Sequence, residues 1–166
     1  MDFDLGKKFI QEKQFKKALL FFLNELKKGN NTVSTYFFLG IIYFELNKIK
    51  DSINYYKLAL KISPKSINII LNLANAYLVS GSFLSAKSLY LKVIKINKYE
   101  PRGYYGLYLI KPQNLTNYIQ NLNDIKNNNN LNNDFLVEYL LSKIAKQNNN
   151  HDLELQHLHR FQKQCF

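Results

Sequence analysis

Cysteine is nearly absent: the 166 residues hold one, Cys165. A single thiol closes no intrachain disulfide, which fits a reducing compartment. It also has no base partner in the sequence, so a packed, neutral thiol is expected rather than a nucleophile. Long apolar runs are missing too. Stretches such as Ala18–Leu23 fall far short of the ~20 residues a membrane helix needs. The start, Met1-Asp2-Phe3-Asp4, is acidic, not a basic segment leading into an apolar core, so no secretory signal is expected and the location is read as cytoplasmic. No Gly-rich phosphate loop and no catalytic constellation occurs, so no enzyme activity and no cofactor are expected. His151, His157 and His159 lie close in sequence. Residues two apart on a helix point in different directions, so solvated histidines are expected there and no metal site.

What is present is apolar, aromatic and basic. Hydrophobic residues make up 46% and aromatic ones 14% of the chain, which excludes a disordered polymer. The length is that of one domain, with about two-thirds of the unfolded surface open to burial. Lys+Arg number 23 against 12 Asp+Glu, a net charge of +11, and nearly all of the positive charge is lysine. Asn, Ile and Lys share AT-rich codons, so base composition is one source of that charge and selection for an anionic partner another. Lys16-Lys17, Lys27-Lys28, Lys57, Lys61, Lys92 and Lys95 fall mostly on one class of helix. They are read as a solvated outer face, with an acidic partner as the sharper alternative. Nucleic acid is disfavoured, because arginine is scarce and the aromatic residues sit at core positions rather than among the basic ones.

The chain nearly repeats itself every 34 residues. Leu5-Gly6, Leu39-Gly40, Leu73-Ala74 and Leu107-Tyr108 keep that spacing, as do Phe9, Tyr43 and Tyr77; Phe15, Ile49 and Phe83; Ala18, Ser52 and Ala86; and Phe22, Tyr56 and Tyr90. Within a unit, Tyr36, Leu39, Gly40 and Tyr43 mark one helical face, and Ile49, Ile53, Tyr56, Ala59 and Leu60 mark a second. Asn47 and Gly81 offer turn residues that tolerate a left-handed backbone, and Pro64 stops a helix. Gly40, Ala74, Ser52, Ala86 and Ala59 are predicted to lie where helices cross closely, with Tyr43, Tyr56, Tyr77 and Tyr90 filling the space beside them.

After Pro101 the pattern decays. Lys111-Pro112 cuts a first helix short; Leu115, Tyr118, Ile119, Leu122 and Ile125 predict a second helix; the Asn-rich stretch 127–133 predicts a loop; and Asp134 is a candidate cap for Phe135–Lys146. Asn148–Asn150 form a further loop before a helix from about Asp152, and across these last two helices Leu141-Ser142, Ala145, Leu158 and Phe161 follow the period loosely. The architecture expected is all-α, a right-handed solenoid of about five antiparallel helix pairs. It is read as a single domain over residues 1–166, well formed over 1–110 and degenerate or capping over 111–166. The amphipathic end at Phe161, Cys165 and Phe166 leaves three alternatives: a covering segment, self-association through that helix, or continuation of the chain.

A 34-residue helix-pair period with these small and aromatic positions resembles the tetratricopeptide repeat (TPR) family, most clearly over residues 33–100. The resemblance implies a non-enzymatic module that takes a protein, peptide or helix in a concave groove lined by the first helix of each unit. Mapped onto this sequence, that groove comprises Lys7, Ile10 and Gln11; Ser34, Phe37, Ile41, Phe44 and Glu45; Asn68, Leu71, Asn72, Asn75 and Leu78; and Arg102 and Tyr105. Asn72 and Asn75 look like the asparagines with which family members hold a ligand's backbone. Phe3 and Phe37 stand where a carboxylate-gripping groove would carry cationic or polar groups, so a chaperone-tail clamp is not expected. A weaker resemblance, over Tyr104–Leu109, Leu115–Ile125 and the pair from Phe135, is to the repeats preceding a transferase domain in bacterial sulfotransferases. It implies the alternative of a recognition region of a larger transferase. A basic scaffold for nucleic acid is the third reading.

Overall fold

The 34-residue period reappears in the backbone. In the computed structural model the first helices α3 (Val33–Glu45), α5 (Ile67–Val79) and α7 (Pro101–Ile110) begin one period apart, and so do the second helices α2 (Phe15–Lys27), α4 (Ile49–Ile62) and α6 (Phe83–Ile96). The remaining helices are α1 (Asp4–Gln11), α8 (Ile119–Asn127), α9 (Asp134–Gln147) and α10 (His151–Cys165). Residues 3–128 and 134–165 are described, with all of their side chains except those of Asn114, Asp134, Gln164 and Cys165. Among the described residues there is no strand, and ten α-helices follow one another in the order that about five pairs require. The 129–133 part of the Asn-rich loop, the capping side chain of Asp134, the Cys165 thiol and Phe166 lie outside the described residues.

The turn inside each regular pair is one structure made four times. Lys13, Asn47, Gly81 and Asn149 all have positive φ (57°, 58°, 77° and 56°) and sit at whole multiples of the period. The amide after each reaches back to close the helix: Gln14 N to Phe9 O (2.8 Å), Lys48 N to Tyr43 O (2.8 Å), Ser82 N to Tyr77 O (2.8 Å) and Asn150 N to Ala145 O (3.0 Å). This is the left-handed helix stop that satisfies carbonyls left open at a helix end. The fourth pair breaks the rule because the residue in register is Leu115, which a left-handed backbone would strain. Instead Pro112–Tyr118 wind into a 3₁₀ helix and Leu115 is buried. The helix expected over Leu115–Ile125 is therefore α8 alone, beginning at Ile119, with Leu115 and Tyr118 on the 3₁₀ segment.

The chain divides into two compact units, Met1–Leu89 and Tyr90–Phe166, the boundary falling inside α6. In the first unit α1 packs on α2, α2 on α3, α3 on α4 and α4 on α5. Its core has two centres, one around Ala18, Phe22, Leu39 and Ile42 and one around Tyr56, Leu73 and Ala76. The small residues act as expected. A side chain at Gly40 would enter the Tyr56 ring, and the buried Ser52 hydroxyl donates to Gly40 O at 2.8 Å. Ala59, Ala74 and Ala86 are fully buried. Of the four tyrosines expected to fill gaps, Tyr56 and Tyr90 are buried, whereas Tyr43 and Tyr77 are half-buried. Tyr43 stacks on Tyr55 with ring centroids 5.2 Å apart.

In the second unit α9 packs on α8, α10 and α7, around Tyr104, Leu115, Leu122, Ile125, Val137, Leu140 and Ile144. The close approach on α7 is made by Gly103 and Gly106 rather than by the Leu107-Tyr108 pair: a side chain at Gly106 would strike the Tyr90 ring, and one at Gly103 would meet Ile94. Burial pushes the phenols of Tyr90 and Tyr104 up to about 12. The Tyr104 hydroxyl is satisfied by donating to Lys98 O at 2.8 Å.

Candidate partner-binding surface

The first helix of a pair lies between second helices, so its sides are claimed by packing and only what remains can meet a partner. On α3 the buried positions are Thr35, Leu39, Gly40 and Ile42. Thr32 caps this helix, its hydroxyl accepting from Thr35 N at 3.2 Å. Of the candidates on α3, Ser34 and Glu45 are exposed, and Phe37, Ile41 and Phe44 are half-buried. Those three apolar side chains pack against the centre formed by Tyr56, Leu73 and Ala76, which joins α3 to α5. Phe37 lies 6.0 Å from the Tyr56 ring, centroid to centroid.

On α5, Asn68 and Asn75 are exposed, while Asn72 and Leu78 are half-buried. Leu71 is 5% exposed and belongs to the core, so among the α5 candidates it presents almost nothing to a partner. The Asn72 amide donates to Asn68 O at 2.8 Å and accepts from the Tyr56 hydroxyl at 3.5 Å. Burial raises that Tyr56 phenol far above its ordinary range, so it stays a donor. Asn72 is thereby held in place from two sides. On α1, Lys7 and Gln11 are exposed, with Lys7 paired to Asp4 at 3.1 Å, and Ile10 packs half-buried on the Ala18–Phe22 centre. Phe3 is also packed, its ring 5.6 Å from that of Phe22.

Two candidates fall in the second unit. Tyr105 is half-buried, its ring 6.2 Å from those of Tyr108 and Tyr139. Arg102 is exposed but committed: its guanidinium grips Glu100 through Nε–Oε1 and Nη2–Oε2, both 2.7 Å, and its amide donates to the same carboxylate at 3.2 Å. Burial works to raise the Glu100 carboxyl, but the bonds from Arg102 outweigh it and hold the group below the usual range. Glu100 also caps α7, so the pair fixes a helix start. Arg102 is therefore engaged by its own chain where a carboxylate-gripping role would need it open.

One polar group went unforeseen. His157 is buried, not solvated, and its Nδ1 donates to Glu138 Oε2 at 2.5 Å, while His151 and His159 are exposed as expected. The available signal was the repeat itself. Three periods earlier the same two positions are Tyr36 and Tyr55, whose rings lie 6.3 Å apart. Among the described residues no group of three or more His, Cys, Asp and Glu is placed to hold a metal. No described helix is long and apolar enough to cross a membrane.

Residues 40–81 match the family model described as TPR repeat. Over those residues the chain is similar to the tetratricopeptide repeat family. Its likeness to solved structures extends that architecture over almost the whole length. A crystal structure of MamA has a TM-score of 0.74 over 99% of this chain and 95% of the other, at 17% identity. A tetratricopeptide repeat protein from Parabacteroides merdae gives 0.70 over 97% of this chain and 63% of the other, at 13% identity. At such identities the likeness is one of fold, and it agrees with the TPR-like solenoid that the period predicts. In sequence, the chain is 34% identical over 104 residues to the "Uncharacterized protein ycf37" of Pyropia yezoensis. The match takes in 57% of this chain and spans 58% of that relative's length.

Proposed function

We propose that this TPR-like chain is a protein-binding scaffold that takes a peptide or amphipathic helix on the first-helix surface of its first unit. The observation that carries this is the unequal use of α3 and α5. Phe37, Ile41 and Phe44 are large and apolar yet only half-buried, beside the exposed amides of Asn68 and Asn75 and the anchored amide of Asn72. Half-open aromatic groups supply anchor sites for apolar side chains. Amides both donate and accept, which suits the unpaired backbone of an extended ligand. Arg102 and Leu71 lie outside the working surface in this reading, since one is paired with Glu100 and the other is buried.

The test begins with peptides selected on the whole chain from a random displayed library. A photo-crosslinker at Asn75 or Glu45 is expected to capture the bound peptide, and one at Lys16 on α2 is not. Asn68→Ala with Asn75→Ala, both on exposed side chains, is expected to weaken binding about tenfold, the loss of one or two neutral hydrogen bonds, with the melting temperature little changed. Capture at Lys16 in place of Asn75, or full affinity in the double variant, would overturn the assignment.

A further inference from the structure

The second unit contains a cavity of about 380 Å³ among α8, α9 and α10. That size lies in the range of small-molecule sites. Part of its wall is apolar, formed by Leu141, Ile144 and Leu153. The rest is basic and amide-bearing: Lys126 from α8, His157 and Arg160 from α10, and the amides of Asn123 and Asn148.

Glu138 of α9, only 3% exposed, arranges the basic side. Lys126 Nζ is 2.9 Å from its Oε1, His157 Nδ1 binds its Oε2, and Arg160 Nη1 lies 4.0 Å from Oε1. One carboxylate thus faces two permanent cations and a histidine. A separation of 4.0 Å is an ion pair and not a hydrogen bond, so this contact leaves the donor fork of Arg160 unspent. A positive charge is left over at the wall of a partly apolar cavity, which a monoanion would neutralise.

The repeats provide an internal control. The Glu138 position is Tyr36, Ile70 or Tyr104 in other units, and the His157 position is Phe21, Tyr55, Leu89 or Asn123. Among the described residues at these two repeat positions, this helix pair alone sets a carboxylate against a histidine, both buried. Lys126 and Arg160 hold the same repeat position one period apart, so α8 and α10 bring their bases to α9 from either side. Core packing alone does not call for such a set.

We propose that this cavity binds a small organic carboxylate with a short apolar body. The head group takes the Arg160 fork in a bidentate grip, with Lys126 as a second cation, and the body lies on Leu141, Ile144 and Leu153.

Titration of the full chain with sodium hexanoate, read by the ring resonances of His157 and the methyl resonances of Leu153, tests this. A saturable shift is expected with hexanoate and none with hexanol. Arg160→Gln, on a half-exposed side chain, is expected to retain the fold and weaken hexanoate about tenfold. Leu153→Trp, which fills the apolar part, is expected to abolish the shift of the His157 ring and keeps the test open should the first variant misfold. No saturable shift, an equal response to hexanol, or unchanged affinity in Arg160→Gln would each overturn the site.

Discussion

At the scale of single residues, two kinds of position set this fold: those that must be small and those that must turn left-handed. Gly40 is of the first kind. An ideal Cβ there falls within the ring of Tyr56, itself 1% exposed and walled in by Leu73 and Ala76. Gly40→Leu is expected to destabilise the chain by about 1–3 kcal/mol through overpacking, read as a lower urea midpoint with helicity kept at low denaturant. A neutral result would mean that Tyr56 can leave the crossing. Lys13 is of the second kind. It holds φ 57° where Gly81, two periods on, holds 77°. A β-carbon in that conformation costs about 1 kcal/mol, partly offset by the flexibility glycine adds to the unfolded chain. Lys13→Gly is therefore expected to stabilise by roughly 0.5 kcal/mol, seen as a raised melting temperature. Asn47 and Gly81 announce their turns by residue type. Lys13 does so only through its distance from them, which is why composition passes over it.

At the scale of helices, the buried Glu138–His157 pair does the work that ring contacts do elsewhere. Tyr36 and Tyr55 join α3 to α4 through their rings, and the equivalent positions join α9 to α10 through a buried side-chain hydrogen bond. Removing one partner leaves a desolvated group without its counterpart, whereas replacing both with packed apolar groups is often neutral or favourable. Glu138→Tyr alone and His157→Tyr alone are each expected to cost about 1–3 kcal/mol, and the double variant less than the sum of the two. A double-mutant cycle in urea measures the coupling. Additive losses would show that the two side chains act independently. The sequence shows where α9 and α10 lie, because Leu141, Ser142 and Ala145 keep the apolar period. It hides the pair because one histidine on a polar helix reads as solvated. Burial is set by the facing helix, 19 residues away, and not by local pattern. The same reason separates the candidate surface from its core: Leu71 and Asn72 are neighbours in sequence, and only the packing of α5 decides which of them is covered. Pro112 correctly ends α7, but that the next segment winds as a 3₁₀ helix follows from Leu115 standing at the left-handed turn position, a conflict visible only once the turns are aligned.

At the scale of the whole molecule, charge works against compactness. The chain carries 23 basic and 12 acidic side chains. Its two arginines are both drawn to buried glutamates, Arg102 to Glu100 and Arg160 to Glu138. Many lysines instead stand exposed on α2, α4 and α6, among them Lys16, Lys17, Lys57, Lys61, Lys87 and Lys95. Like charges brought together on a folded surface repel at low ionic strength, and that repulsion is screened once the Debye length falls below their spacing. Exposed pairs such as Lys7–Asp4 offset little of it, because each is worth well under 1 kcal/mol and is screened by the same salt. The buried Lys126–Glu138 and His157–Glu138 contacts are shielded from the ions and lose less. Sodium chloride is therefore expected to stabilise this protein: raising it from about 20 mM to about 500 mM, where the Debye length shrinks severalfold, should lift the thermal midpoint by about 2–4 °C, the shift that roughly 1 kcal/mol produces in a chain of this size. Circular dichroism melts at fixed pH measure it, with chloride chosen over sulfate so that surface exclusion does not add to screening. A midpoint that falls with salt would show that attraction between opposite charges, concentrated around Glu100 and Glu138, outweighs the repulsion of the lysine-bearing helices.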